Sequence, residues 1–290
     1  MILNDKKWHV EQADCIEHMA TLPSACMDHS VFSPPFPSLF SYTSEAGDIG
    51  NSEDLRGEAK LHFSFFFKQL RRVMKPGRIV IVHCCQIPGL ARNGELGTFD
   101  FRGLLIRIAQ RAGFIYQYDW LVAKNPQAQA IRTHSHKLLF VTLERDRAKT
   151  CGAFGDYLIK FITPGVNEVP IDSAGISREE WIDWAEVCWN DIRESDTLNT
   201  KEAKGPEDTK HICPLQLSVI KRIVKLYTNP GEIVFSPFTG VGSEGYESLK
   251  LGRRFYGCEL KTEYFETAKR NLAKAEALAN DSDRLLFSMQ

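Results

Sequence analysis

Apolar runs and helical periodicity alternate along most of the chain. Continuous or alternating apolar residues predict seven strands, at residues 7–13, 29–32, 79–84, 115–123, 137–143, 232–235 and 253–258. Apolar residues at helical spacing predict helices at residues 16–21, 53–74, 101–111, 215–227, 244–251 and 263–279. This repeated alternation of strand and helix indicates an α/β protein.

The regular pattern is interrupted between residues 144 and 207. Glycine, proline, aspartate and serine are interleaved there with three tryptophans. We therefore interpret 144–207 as an insertion between 1–143 and 208–290. Trp181, Trp184 and Trp189 stand at near-helical spacing, which favours a local hydrophobic core over stacking on nucleic-acid bases.

Length and composition are ordinary for a soluble globular protein. With 290 residues, 43% hydrophobic and 25% charged, the chain is long enough for one large α/β domain with an insertion or for two small domains. No apolar run approaches the roughly 20 residues of a membrane-spanning helix, and the first residues lack the apolar core of a secretory signal. We expect no membrane association and an intracellular, cytoplasmic location. We expect the protein to be encoded by a bacterium or a phage.

Neither the cysteines nor the net charge identifies a partner. The eight cysteines are scattered without a CxxC pair, so we expect reduced, structural thiols. His134 and His136 lack a third ligand at suitable spacing, and we expect no metal site. The formal net charge is −1, so any surface that binds phosphates must be a local one.

A glycine-containing turn follows the strand predicted at 232–235. Its glycines, Gly240 and Gly242, let a ligand approach the backbone, and the free N–H groups of the next helix favour a carboxylate or phosphate. Such turns serve many nucleotides, and some bind none. Glu259 ends the following strand, where an acidic side chain can accept hydrogen bonds from ribose hydroxyls. Together these residues predict a pocket for a ribose-containing cofactor.

A stiff turn, Ser33-Pro34-Pro35-Phe36, follows the strand predicted at 29–32. The two prolines fix φ and remove two N–H donors, so the Ser33 hydroxyl and the Pro34 carbonyl are held as acceptors beside the Phe36 ring. Acceptors next to an aromatic ring suit a flat base that carries an NH2 group. On its own, a Pro-Pro turn is more often only structural.

In this order the two turns resemble those of the amino-group DNA methyltransferases, which modify cytosine N4 or adenine N6. That family has a (D/N/S)PP(Y/F) catalytic turn and an FxGxG-like cofactor turn, and its permuted subgroup has the catalytic turn first, as here. The similarity extends to residues 13–16, 21–23, 28, 73–77 and 210–214. It implies a seven-stranded, mostly parallel, Rossmann-like sheet with helices on both faces and an inserted target-recognition region.

The resemblance also implies a division of the chain and a cofactor. Residues 1–143 would form the catalytic half, 144–207 the inserted target-recognition region and 208–290 the cofactor-binding half. S-adenosyl-L-methionine would be the cofactor, with its ribose held by Glu259. The other residues implied to bind it are Asp14, Cys15, Lys210, His211, Phe235, Ser236, Pro237, Phe238, Thr239, Gly240, Gly242 and Ser243.

Within that set, Asp14 and Cys15 would contact the adenine edge, and Lys210 with His211 would lie near the methionine carboxylate. Ser236 departs from the family pattern, which commonly has aspartate before Pro-Phe. This departure puts cofactor affinity in doubt, although a hydroxyl can also accept from the cofactor's ammonium group.

The implied reaction is a direct in-line displacement, in which the base amine attacks the sulfonium methyl without a covalent enzyme intermediate. Ser33, Pro34, Pro35 and Phe36 would form the base pocket. Positioning supplies most of the rate enhancement, so no strong general base is required and the proton can leave to water. The base must be flipped out of duplex DNA, or the DNA must be single-stranded.

The target base stays open between two amines. Ser33 favours cytosine N4, because serine at this position is associated with N4-cytosine enzymes and Asp or Asn with N6-adenine enzymes. Phe32 argues against cytosine, since threonine is usual at that position. The sequence is also compatible with methylation of RNA or of a protein amide, with a methyltransferase-like DNA-binding protein that lacks catalysis, and with a generic nucleotide-binding protein.

DNA is the expected partner, and two segments are candidates for holding it. A basic stretch leads into the insertion and could bind phosphates and guanine edges, although such charges are commonly only solvated. A polar, Gly-rich loop at residues 41–51 could close over the flipped base. The sequence leaves open whether a homodimer forms and whether a cognate restriction nuclease exists. The basic residues are Lys124, Arg132, His134, His136, Lys137, Arg145, Arg147 and Lys149.

Overall fold

A computed structural model describes residues 2–37, 49, 57–88, 97–127, 140–149, 152–172, 175–198 and 214–288. Its strands are β1 (Trp8–Gln12), β2 (His29–Phe32), β3 (Ile79–Cys84), β4 (Ile87–Pro88), β5 (Thr98–Phe99), β6 (Ile115–Val122), β7 (Asp156–Ile162), β8 (Cys188–Trp189), β9 (Ile233–Ser236) and β10 (Arg254–Glu259). Its α-helices are α1 (Cys15–Thr21), α2 (Glu58–Val73), α3 (Phe101–Arg111), α4 (Phe140–Asp146), α5 (Arg178–Trp184), α6 (Leu217–Tyr227), α7 (Ser243–Lys250) and α8 (Thr262–Ser288).

Eight strands form one sheet in the order β1-β10-β9-β2-β3-β7-β6-β8. The neighbours from β1 to β3 are all parallel, and β7 is antiparallel to both β3 and β6. A separate two-stranded ladder joins β4 to β5. The predicted mostly parallel α/β sheet is confirmed, with eight strands where the sequence predicted seven.

Helices cover both faces of the sheet, because the central strands are apolar on both sides. Phe32 and Val82 pack with α1, α2 and α3 on one face. Val31 and Ile81, one residue away in each strand, pack with α6 and α8 on the other. Successive side chains of a strand point to opposite faces, so each central strand contributes to both cores.

The strand predicted at 137–143 is wrong. Residues 140–146 form the helix α4, in which Phe140 and Leu143 are exposed, and the residues before 140 lie outside the described ranges. The missing strand is β7, whose Leu158, Ile159 and Phe161 are fully buried between β3 and β6. Periodicity alone cannot decide whether a short apolar run forms a strand or a helix. Here β7 buries side chains on both faces of the sheet, whereas Phe140 and Leu143 are exposed.

Both β7 and β8 lie within 144–207, so the range interpreted as an insertion contributes two strands to the main sheet. Trp184 and Trp189 are buried against Trp120, which confirms the local core predicted for them. Trp181 is 62% exposed, so the prediction is wrong for that residue. None of the helices within the described ranges is both long and apolar enough to cross a bilayer.

A buried network of charges ties together the amino ends of the central strands. Glu232, just before β9, accepts two hydrogen bonds from the Arg78 guanidinium, at 2.6 and 3.0 Å. Asp28, just before β2, accepts from Lys75 Nζ at 2.5 Å and from the Ile233 N–H at 2.9 Å. Because Arg78 is 3% exposed, its charge depends on these carboxylates.

Replacement of Glu232 by glutamine should destabilise the fold by about 3 kcal/mol, because it leaves the buried Arg78 charge without its bidentate partner. Urea denaturation measures this loss. The matched control is Glu266→Gln on α8, where the pair with Lys269 is exposed and is worth at most about 0.5 kcal/mol. Equal losses in the two variants would contradict the assignment.

Candidate functional site

The carboxyl ends of five parallel strands meet at one edge of the sheet. In spatial order these strands are β1, β10, β9, β2 and β3. Ser30 of β2 is paired with Phe235 of β9, so the turns that follow these two strands are direct neighbours. The Phe32 and Phe238 rings, one beside each turn, have centroids 5.7 Å apart. The Ser33 turn and the Gly240 turn, distant in sequence, therefore lie together.

The turn after β9 needs glycine at two positions. Gly240 has a φ of +54° and Gly242 a φ of +90°, which other residues rarely adopt. A Cβ on Gly242 would also lie 3.2 Å from the Ala268 Cα of α8. The positive φ at Gly242 brings the chain into α7, so the N–H groups at the start of that helix lie beside the turn.

Glu259 at the end of β10 holds this turn in place. Its Oε2 accepts from the Gly240 N–H at 2.7 Å, and its Oε1 accepts from the Lys261 N–H at 2.9 Å. Its backbone carbonyl accepts from the Ala13 N–H at the end of β1. The carboxylate predicted to bind a ribose thus also fixes the shape of the glycine turn.

Two buried hydroxyl groups at the same turn have no hydrogen-bond partner among the described residues. They are Ser236 Oγ, at the end of β9, and Ser243 Oγ, at the start of α7. A buried hydroxyl without a partner is costly, so these two hydroxyls are candidates for contacts with a ligand.

The remaining residues of the glycine segment support its shape. Thr239 donates its N–H to the Cys258 carbonyl at 2.9 Å and its hydroxyl to the Ser236 carbonyl at 3.2 Å. Phe235 is fully buried in the core. The centroid of the Phe238 ring lies 5.0 Å from that of the Phe66 ring. Pro237, which precedes Phe238 in the chain, is buried.

Asp14 and Cys15 lie at the carboxyl end of β1, beside β10. Asp14 caps α1, since its Oδ1 accepts from the Ile16 N–H at 2.7 Å and the Glu17 N–H at 3.1 Å. Cys15 is buried, and burial raises the pKa of its thiol well above the ordinary value. Neither residue is remote from the edge predicted to bind the cofactor.

The proline turn after β2 presents Ser33 at the same edge. Pro34 is buried, and Pro35 and Phe36 are half-buried. The Phe36 ring packs against Phe101 of α3, with centroids 5.6 Å apart and planes inclined by 51°. One side of the Phe36 ring is therefore braced by a helix.

Ser33 has a partner that the sequence analysis did not assign. Its Oγ lies 2.7 Å from Nδ1 of His83, near the end of β3, and His83 Nε2 lies 2.9 Å from Asp156 Oδ2. The apolar run around His83 indicated only a buried strand end. Asp156 belongs to the strand that the sequence pattern missed.

Several predicted residues cannot be located. Lys210 and His211 lie outside the described residues, as do Arg132, His134, His136 and Lys137 and all of loop 41–51 except Ile49. Arg145 and Arg147 are exposed. Lys124, a candidate for phosphate binding, instead forms an ion pair, with its Nζ 2.7 Å from Asp156 Oδ2 and its side chain 10% exposed.

A buried carboxyl group lies behind the glycine turn. Glu244, in the first turn of α7, is 4% exposed. Burial, with a smaller contribution from the nearby Glu259 carboxylate, raises the pKa of Glu244 to about 8. At neutral pH Glu244 is therefore mostly uncharged and does not add to the negative charge of Glu259.

Comparison with known proteins identifies the family. A family model described as DNA methylase, covering N6 and N4 enzymes, matches residues 27–270, which is most of the chain. The chain belongs to this family. The resemblance inferred from the two turns is thereby confirmed, and the family is dependent on S-adenosyl-L-methionine.

Among curated proteins, the chain is similar to the type II methyltransferase M.BglI of Bacillus subtilis, with 30% identity over 173 residues. The match covers 58% of this chain and 42% of M.BglI, so the chain spans less than half of that relative.

Two solved structures share the fold. TTHA0409 of Thermus thermophilus, complexed with S-adenosyl-L-methionine, has a TM-score of 0.67 and 18% identity over 92% of this chain and 93% of its own. The cytosine-N4-specific PvuII DNA methyltransferase has a TM-score of 0.64 and 16% identity over 95% of this chain and 92% of its own.

Replacement of Gly257 by alanine should deform the glycine turn. The added Cβ would lie 2.2 Å from Thr239 Oγ1 and 2.9 Å from the Phe255 ring, so Thr239 must move. We expect a stability loss of about 2 kcal/mol in urea and weaker binding of S-adenosyl-L-methionine in calorimetry. Gly97→Ala, whose added Cβ has no atom of the described residues within 4 Å, is the control. Unchanged affinity in Gly257→Ala would refute this account of the turn.

Glu244→Gln should stabilise the protein more at pH 8 than at pH 6. The folded pKa of Glu244 is about 8, above its ordinary value of 4.5, so the folded state binds the extra proton between these limits. The free energy of unfolding of the wild type therefore falls as the pH rises through this range, whereas glutamine does not titrate. We expect the gain, measured in urea, to grow by about 2 kcal/mol from pH 6 to pH 8. A pH-independent difference would contradict it.

Proposed function

We propose that this chain is an S-adenosyl-L-methionine-dependent DNA methyltransferase that modifies the exocyclic amino group of a base. The observation that carries the proposal is the pairing of β2 with β9, which makes the Ser33 and Gly240 turns neighbours. One turn has the features of a cofactor pocket, and the other has acceptors beside an aromatic ring. A methyl donor and a base amine held at these two turns would meet.

The residues at the glycine turn fit the cofactor. Ser236 Oγ and Ser243 Oγ are buried and without partners among the described residues, so they are suited to the ammonium and carboxylate of a methionine group. Glu259 is a half-buried acceptor at a strand end, as a ribose requires. Asp14 and Cys15 lie on the neighbouring strand end, on the side assigned to the adenine. When bound, the cofactor supplies an electrophilic methyl group.

The residues of the proline turn are suited to the base. Ser33 and Pro34 provide the acceptors that orient an amine and stabilise the positive charge that develops on its nitrogen. Phe36, braced by Phe101, offers a fixed surface for stacking. The base reaches this edge only when it is flipped from the duplex or when the strand is single.

We further propose that the amine is cytosine N4. A serine stands first in the proline turn, and the cytosine-N4-specific PvuII enzyme shares the fold over most of both chains. Adenine N6 is the alternative outcome. The exposed Arg145 and Arg147 support a phosphate-binding role for the region from residue 144 to 207.

The function is tested by incubating the purified protein with labelled S-adenosyl-L-methionine and mixed-sequence duplex or single-stranded DNA. We expect labelled N4-methylcytosine after digestion to nucleosides and mass spectrometry. N6-methyladenine would correct the base and keep the function. Label in RNA or protein alone, or no label despite cofactor binding, would overturn the function.

The variants Phe36→Ala and Glu259→Ala should separate the two halves of the site. Phe36→Ala should lower methyl transfer to DNA by roughly 5- to 150-fold while leaving the dissociation constant of the cofactor unchanged, because stacking on a base is worth about 1–3 kcal/mol. Glu259→Ala should weaken cofactor binding, because it removes the acceptor at the ribose position and the brace of Gly240.

Calorimetry with the cofactor and initial rates with DNA provide the two measurements. Phe65→Ala on α2 is a control, since Phe65 is 52% exposed and belongs to neither turn. Equal loss of cofactor affinity in the Phe36 and Glu259 variants would show that the proposed roles are wrong.

A further inference from the structure

A row of four polar side chains crosses four neighbouring strands at the edge where the proline turn lies. The strands are β2, β3, β7 and β6, in that spatial order. Ser33 follows β2, His83 lies in β3, Asp156 begins β7 and Lys124 follows β6. Because β7 runs antiparallel to its neighbours, its first residue lies level with their last residues.

The alternation of side chains explains why three of these groups share a face. Two residues before His83 is Ile81, two after Asp156 is Leu158, and two before Lys124 is Val122. These three apolar residues belong to one core, on the face covered by α6 and α8. His83, Asp156 and Lys124 therefore lie on the same face of the sheet as this core, next to it at the edge of the sheet.

The row is a continuous chain of short contacts. Ser33 Oγ is 2.7 Å from His83 Nδ1, His83 Nε2 is 2.9 Å from Asp156 Oδ2, and Lys124 Nζ is 2.7 Å from the same oxygen. His83 and Asp156 are each 8% exposed. Burial by itself raises the pKa of Asp156, but His83 and Lys124 outweigh it and hold that pKa below its ordinary value.

An ionised Asp156 fixes the tautomer of a neutral His83. A carboxylate can only accept, so Nε2 must carry the proton that is donated to Asp156, and Nδ1 is left as an acceptor. Ser33 then donates its hydroxyl proton to Nδ1, and the lone pairs of Ser33 Oγ stay available to the amine of a base.

We propose that His83, oriented by Asp156 and Lys124, is a positioning residue that takes the hydroxyl proton of Ser33 as Ser33 removes a proton from the methylated base. This inference rests on the proposed function and extends it, because it assigns the proton to a group of the chain instead of to bulk water.

The step balances in atoms and electrons. The lone pair of the base nitrogen forms the new N–C bond, and the electron pair of the broken C–S bond remains on sulfur. The nitrogen, now positive, gives one proton to Ser33 Oγ, and the original Ser33 proton passes to His83 Nδ1. The resulting imidazolium is paired with the Asp156 carboxylate and later returns its proton to solvent.

No other charged group is bonded to this row in the described part of the chain. The α6 helix packs on the same face, but its Arg222 is paired with Asp191 and its Lys225 with Glu180. On the other face, Arg102 of α3 is paired with Asp119 of β6. Lys160, on the same face of β7, lies over the rings of Tyr118 and Tyr227. Among the described residues, the charges bonded to the row are therefore those of Asp156 and Lys124.

The first test is the pH profile of the single-turnover rate of methyl transfer. In the wild type the logarithm of the rate should rise with unit slope at low pH and then level off, as expected when the step needs one unprotonated base. His83→Asn keeps an acceptor near the position of Nδ1 but cannot take a proton at these pH values. We expect a rate about 100-fold lower and no inflection.

The second test uses the cofactor-free protein. Nitrogen-15 NMR of the His83 ring, assigned by its loss in His83→Asn, should give an unprotonated Nδ1 and a protonated Nε2 at high pH. Asp156→Asn should shift the ring toward the Nδ1-protonated tautomer and slow transfer. Asp119→Asn is the matched control, a similarly buried carboxylate whose loss should leave the tautomer and the inflection unchanged.

The outcomes separate this inference from the proposed function. An active wild type, together with a His83→Asn variant that keeps the rate and the inflection, would overturn the relay and leave the methyltransferase assignment standing. A protonated Nδ1 in the neutral wild type would also overturn it. A folded wild type that binds the cofactor but transfers no methyl group to DNA would overturn both.

Discussion

The parallel pairing of β2 with β9 is the constraint on which the site depends. Ser30 is level with Phe235, and the buried hydroxyl of Ser30 also donates to the Phe235 carbonyl at 2.9 Å. Because side chains change faces at every residue, a shift of one position would exchange the two faces of one strand and bring its side chains into the opposite core. The register that buries the cores therefore also aligns the ends of the strands, and with them the two turns.

Buried ion pairs at the amino ends of these strands stabilise that register, and the candidate site lies at their carboxyl ends. The Arg78–Glu232 pair and Asp28 join β2, β3 and β9 at one edge through buried charges. At the other edge, Glu259 holds the Gly240 turn, and His83 holds Ser33. At this second edge Ser236 Oγ and Ser243 Oγ are without partners among the described residues, which supports the proposal that a ligand binds there.

The sequence predicted correctly those features that a few consecutive residues determine. Glycines that require positive φ, a proline turn and an acidic residue at a strand end could be recognised locally, and the structure brings these residues together at one edge of the sheet. The family resemblance then supplied the roles of those residues. Asp14 and Glu259 also stabilise the fold. Asp14 caps α1, and Glu259 holds the Gly240 turn, and the family resemblance did not indicate either role.

The sequence failed where the information lies between distant segments. The run from Phe140 to Leu143 is as apolar as a strand, and only tertiary packing gives the central position to Asp156–Ile162 instead. With β7 unassigned, Asp156 had no place beside His83, and His83 remained an ordinary buried residue. Lys124 was interpreted as a phosphate ligand for the same reason, since its partner was missing.

A crystal structure with a cofactor analogue and an oligonucleotide carrying the target base tests the central claim most directly. The account predicts the analogue at the Gly240 turn and the base against Phe36, with the amino nitrogen about 3–3.5 Å from the position of the transferable methyl group. A cofactor bound away from the Gly240 turn, or a base held at another edge of the sheet, would contradict it.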